Sequence, residues 1–103
     1  MEVVLASFEG SLLHTGKADA PISVFIDLTD ERLRLSSGGI EIANWRLEEI
    51  QVNAKSDGFH VRRSGEDLIL KIAQDAEFAV ALDLRSVPVE LARRMAVYRD
   101  SSR

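Results

Sequence analysis

Cysteine is absent from all 103 residues. That excludes a disulfide framework and any thiolate metal site, and it is compatible with a reducing cytoplasm. Histidine is scarce as well. His14 and His60 stand alone, short of the three or four ligands at fixed spacing that zinc requires. No apolar run approaches the eighteen or so residues of a membrane span. The opening Met1–Glu9 is only briefly apolar and has acidic flanks, so no secretory signal is expected. Gly38-Gly39 and Gly65 are too sparse for a phosphate loop, with no Lys-Ser/Thr ending and no strand-to-helix setting. Repeats and low-complexity stretches are missing, and Asp100–Arg103 reads as a frayed end.

What is present fits one globular domain. Hydrophobic residues make up 46% and charged residues 29%, ordinary values for a chain with one core. At this size about two-thirds of the extended surface is buried on folding. The formal net charge of −4 is unevenly spread. Arg85, Arg93, Arg94, Arg99 and Arg103 gather at the C-terminal end against Glu90 and Asp100, while the preceding chain is strongly acidic. An acidic body repels nucleic-acid and membrane phosphates, whereas the basic end could attract them. The plainer account of those arginines is the solvated face of a terminal helix.

From Pro21 onward, apolar residues alternate with a period of two. Ile22, Val24, Ile26 and Leu28 share one face opposite Ser23 and Asp27. Thr29-Asp30-Glu31 reads as a turn made by Asp30 bonding its own backbone. Leu33 and Leu35 form a second strand, Gly38-Gly39 a tight hairpin, and Ile40 and Ile42 a third strand. Trp45 and Leu47 break the parity before Ile50, Val52 and Ala54, so a bend or bulge is expected over Trp45–Glu49. Ser56-Asp57-Gly58 and Ser64-Gly65 mark further turns, with Phe59 and Val61, then Leu68, Leu70 and Ile72, lining the core. Val3–Leu13 reads as one long strand bent at Gly10, and His14–Ala20 as a loop. The total is seven strands. Asp75 is placed as the N-cap of a helix, with Glu77 in its first turn and Phe78, Ala79 and Leu82 on its buried face. Ser86-Val87-Pro88 interrupts, and a second amphipathic helix is expected from Pro88 to about Arg99. On it Leu91, Ala92, Met95 and Tyr98 share one side, with Arg93 and Arg94 pointing away.

The expected fold is mainly β with a C-terminal helix. It is a seven-stranded antiparallel barrel or sandwich capped by an α-helix, over residues 1–84, with a helical extension over 85–103. Leu28-Thr29-Asp30-Glu31-Arg32-Leu33, Gly39 to Trp45-Arg46-Leu47, Asp57-Gly58-Phe59, Ser64-Gly65-Glu66 and Asp75 to Phe78-Ala79 resemble short bacterial PH-like domain proteins, chiefly actinobacterial ones. The resemblance covers roughly residues 5–84 and rests on turn and core positions, so it implies a scaffold and no particular activity. In that superfold, headgroup recognition resembles a clamp of several cations on the first two strands and their loop. Here the region offers Lys17 and His14 beside Glu9 and Asp19, and Ile22–Leu28 has no basic residue. Phosphoinositide binding is therefore not expected.

No catalytic or metal-ligating set emerges. The serines sit in turns without a partnered histidine and acid, and His60 reads as an exposed strand residue. Trp45 reads as a core anchor. The chain is expected to be a non-catalytic, cytoplasmic, PH-like protein-interaction or scaffold module without cofactor or nucleic-acid partner. The alternatives are a small-ligand-binding barrel or a weak peripheral membrane module using the C-terminal arginines. The resemblance also implies a peptide-accepting groove between the C-terminal helix and its neighbouring strand. The segment from Pro88 either fills such a groove in its own molecule or offers a partner Leu91, Met95 and Tyr98 as anchors, with Arg94 and Arg99 at the rim.

Overall fold

The computed structural model describes residues 3–14 and 20–101. Lys17, Asp19 and Arg103 lie outside the described residues, as does the side chain of His14. In chain order the strands are β1 (Val4–His14), β2 (Ile22–Thr29), β3 (Arg32–Ser37), β4 (Ile40–Arg46), β5 (Gln51–Lys55), β6 (Gly58–Arg63) and β7 (Glu66–Ile72). A 3-10 turn, Leu47–Glu49, links β4 to β5, and two helices follow, α1 (Asp75–Ala81) and α2 (Val89–Ser101).

All seven strands lie in one antiparallel sheet of order β4-β3-β2-β1-β7-β6-β5. β4 and β5 are its edges, so hydrogen bonds do not close the sheet into a barrel. The architecture is an antiparallel sandwich with helical cover, consistent with a PH-like sandwich. β1 makes the join. It pairs with β2 from Val4 to Leu12, and with β7 only from Gly10 to His14. A Cβ at Gly10 would collide with the Lys71 carbonyl and stand 3.2 Å from the Ile72 Cα. Glycine lets the β7 backbone come that close.

The two inner faces and both helices share one core. Ile26, Leu33, Leu35, Leu70, Phe78 and Ala79 are fully enclosed. Phe78 anchors α1 by edge-on contacts with Phe8 on β1 and Phe59 on β6, at centroid separations of 5.2 and 4.8 Å. Leu91 and Met95 of α2 belong to the same cluster.

Several local expectations need correction. The turn after β2 is made by Thr29, which is buried, and not by Asp30. Its Oγ1 accepts the N–H groups of Arg32 at 2.9 Å and Glu31 at 3.3 Å. The parity change begins earlier than Trp45, at a register shift where Leu35 faces Ala43 but Ser36 faces Glu41. This bulge adds Ile42 to β4, and the 3-10 turn then supplies the second break within the expected stretch. Ile40 and Ile42 are exposed, at 69% and 44%. Asp75 is the first helical residue and Gln74 the N-cap, without a side-chain capping bond.

Candidate functional site

α2 is the first surface to weigh, since the sequence offered it to either the domain or a partner. Leu91 and Met95 are spent in the domain's own core, and Tyr98 is half-buried. Arg94 does not point away. Its Nη2 and Nε donate to the two Asp75 carboxylate oxygens at 2.7 and 3.2 Å, joining α2 to the start of α1. That pairing raises the guanidinium pKa above its already high ordinary value. Arg99 is exposed beside the cleft between α2 and the turn after α1, lined also by Asp83, Val87 and Met95. Leu91 and Met95 therefore cannot serve a partner as anchors without leaving the core. The pattern that suggested a docking helix was the pattern of a packed one.

His60 projects from the outer face of β6 but is not freely exposed, its side chain being 16% accessible. Two acids flank it. Nε2 donates to Asp57 Oδ1 at 2.7 Å, and Nδ1 stands 3.9 Å from Asp67. The hydrogen bond from His60 holds the Asp57 carboxyl below its ordinary value of 3.8. A carboxylate with a depressed pKa contributes stability that is complete above the unfolded value and is lost as pH falls through the folded one. Wild type should thus melt slightly above Asp57→Asn at pH 6, with the gap closing as pH falls below the carboxyl's ordinary value of 3.8. Thermal melts across that range check it; a gap that ignores pH would contradict the assignment. Among the described residues no group of three or more His, Asp or Glu could hold a metal ion, and no helix there is long and apolar enough to cross a membrane.

Three further concave surfaces stand out among the described residues. The largest, about 520 Å³, lies between the β5–β6 hairpin and α2, and is lined by charges of both signs, including Lys55, Lys71, Asp75, Glu90 and Arg94. A second, about 430 Å³, opens beside β4, with Leu12, Ile22, Ile42, Trp45 and Leu68 on its walls. Trp45, 6% exposed, is a core residue whose ring borders that cleft.

The third is smaller and differs in kind. About 210 Å³ in volume, it is lined by the side chains of Leu47, Ile50, Val52, Leu82 and Leu84. It runs between β5, which among the described residues has no outer neighbour, and the end of α1. There Asp83 takes a left-handed turn at φ 54, and Leu84 N–H donates back to the Ala79 carbonyl at 3.0 Å. That reversal brings Leu82 and Leu84 against the β5 side. A sheet edge beside an apolar groove is what an added strand needs: hydrogen bonds along the edge and a pocket for an alternate side chain. Alternation alone marks Ile50 and Val52 as the apolar set of a strand and Leu82 as a helix residue. That they meet at a free edge is a tertiary fact, and the unaligned repeat of leucines at 82 and 84 was its sole signal.

Comparison with protein-family models, curated proteins and solved structures gives no match for this chain.

Proposed function

We propose that this domain is a non-catalytic, PH-like protein-interaction module of the cytoplasm, and that it takes an extended segment of a partner protein as an eighth strand along β5. The observation that carries this reading is the β5 strand, which ends the sheet among the described residues, beside the groove of Leu47, Ile50, Val52, Leu82 and Leu84. Edge strands invite pairing, and proteins commonly blunt them with charge, proline or cover. β4 is blunted by its bulge at Ile42. β5 carries neither bulge nor proline, and its inward Val52 and Ala54 are only half-buried. The groove is suited to one apolar anchor, while main-chain bonds supply affinity without demanding a long motif. Arg94 is engaged with Asp75 and so is not a free cation for a membrane surface.

Selection from a random peptide display library against the purified domain tests the reading. Selected peptides should share an apolar anchor. Amide hydrogen exchange should then show added protection at Gln51–Lys55 and near Leu84. Leu84→Glu should abolish that binding, while Leu84→Ala, which leaves the edge intact, should weaken it by about tenfold, as expected for lost apolar contact. Circular dichroism confirms that both variants fold. Peptides that protect some other surface, or that bind Leu84→Glu equally well, would remove the reading.

A further inference from the structure

Asp57 is the only aspartate of the chain that precedes a glycine, and no asparagine does so. The pair lies in the turn between β5 and β6, which the pairing of Lys55 with Gly58 closes. Gly58 is dictated by its surroundings. Its φ is 133°, and a Cβ there would stand 2.8 Å from the Leu70 carbonyl oxygen and 3.1 Å from Ile69 Cγ2. No larger residue can take its place without moving β7. A glycine also leaves its own amide nitrogen less hindered than any other residue does. The Asp57 side chain beside it is 54% accessible, so water reaches it.

An aspartyl side chain in this setting can close on the backbone. The Gly58 nitrogen attacks Asp57 Cγ, a C–N bond forms, the Cγ–OH bond breaks, and the amide proton leaves with the hydroxyl as water. The step is a condensation, and nothing is oxidised or reduced. Only the protonated carboxyl reacts, because a carboxylate would have to expel oxide. Water then opens the cyclic imide at either carbonyl. Opening at Cγ restores aspartate. Opening at the main-chain carbonyl leaves an isoaspartyl link, in which the backbone runs through Cβ and Cγ.

His60 opposes the first of these steps. Its Nε2 donates to Asp57 Oδ1 at 2.7 Å, which restrains the side-chain rotation that closure needs. The same bond favours the ionised carboxyl, the unreactive form, and Lys55 on the hairpin favours it too. The imidazole is itself held in place. It is 16% accessible, with Asp67 of β7 at 3.9 Å from Nδ1, and its ladder neighbours are Asn53 and Ile69. We propose that Asp57–Gly58 is the chain's site of spontaneous isoaspartyl formation and that the His60 side chain holds this reaction in check. The product adds a methylene to the backbone of a turn made by Ser56 and Asp57 alone, and it moves the carboxylate off His60. Damage at this one bond thereby reaches the hairpin that carries β5.

Ageing of wild type, His60→Ala and His60→Gln at mildly acidic pH and physiological temperature tests this. Isoaspartate is counted by labelling with protein isoaspartyl methyltransferase and located by peptide mass spectrometry. His60→Ala should accumulate it at Asp57 several-fold faster than wild type. His60→Gln, whose amide can still donate to Asp57, should fall between the two. Val61→Ala, which weakens the same strand through its buried face and leaves the bond in place, should age close to wild type. If His60→Ala does not fold, acceleration in His60→Gln over wild type decides the same question. A His60 variant that ages no faster than wild type overturns the protection, and slower ageing does so too, by making the imidazole a promoter of closure. Equal acceleration in Val61→Ala assigns the effect to lost stability and overturns it as well. Isoaspartate that arises mainly at another aspartate, or in none of these proteins, overturns the site itself.

Discussion

Phe78→Ala is expected to cost about 3–5 kcal/mol, the largest loss from any single truncation in this domain. The ring is 0% exposed and sits where three elements meet: α1, β1 through Phe8 and β6 through Phe59. Removing it leaves a cavity and two edge-on aromatic contacts unmade, each worth about 0.5–1.5 kcal/mol beyond burial. Because Phe8 and Phe59 belong to a rigid sheet, collapse around the gap is limited, which places the loss high in its range. A domain of this size has roughly 5–15 kcal/mol to lose. The melting temperature should fall by about 15–30 °C. Urea denaturation with an unchanged slope and a lower midpoint is the check. A midpoint within error of wild type would mean that α1 does not hold the sandwich closed.

Trp45→Ala should be the second most damaging change, at about 3 kcal/mol or somewhat more. Trp45 faces Leu33 across the β3–β4 ladder and is nearly enclosed. One border of its ring meets the cleft of Leu12, Ile22, Ile42 and Leu68, where water can enter after truncation and soften the loss. Trp45→Phe, which keeps an aromatic body, should recover most of it. Since Trp45 is the sole tryptophan, the wild-type emission should be blue-shifted and poorly quenched by iodide. Red-shifted, freely quenched emission with an undiminished melting temperature in the alanine variant would place the ring at the surface instead.

The strands and helices were legible because each is a local pattern. Period two in Ile22–Leu28 and in Leu68–Ile72, the glycines at 38 and 39, and the spacing of Phe78, Ala79 and Leu82 state element and buried face without reference to anything distant. Leu91, Met95 and Tyr98 stated an apolar face equally well, but periodicity gives a face and not what covers it. Packing on α1 and core burial took two of those anchors, and Asp75 took Arg94. His60 shows the same limit. Its outward parity was correct, while Asp57 and Asp67 are brought to it by a turn and by a neighbouring strand.

By itself, then, the sequence determined seven strands, a helix with Phe78 on its buried face, a second helix with Leu91 and Met95 on one apolar face, and a chain with no thiol chemistry. Only the tertiary structure decided which strands are left without a neighbour. Edges depend on strand order, and strand order depends on pairings between residues as distant as Gly10 and Ile72. Those pairings put β4 and β5 at the two ends of the sheet. They also put Leu47, Ile50, Val52, Leu82 and Leu84 around one groove. No spacing along the chain encodes that meeting, because the residues come from a turn, a strand edge and a helix end that approach only once the sandwich has formed.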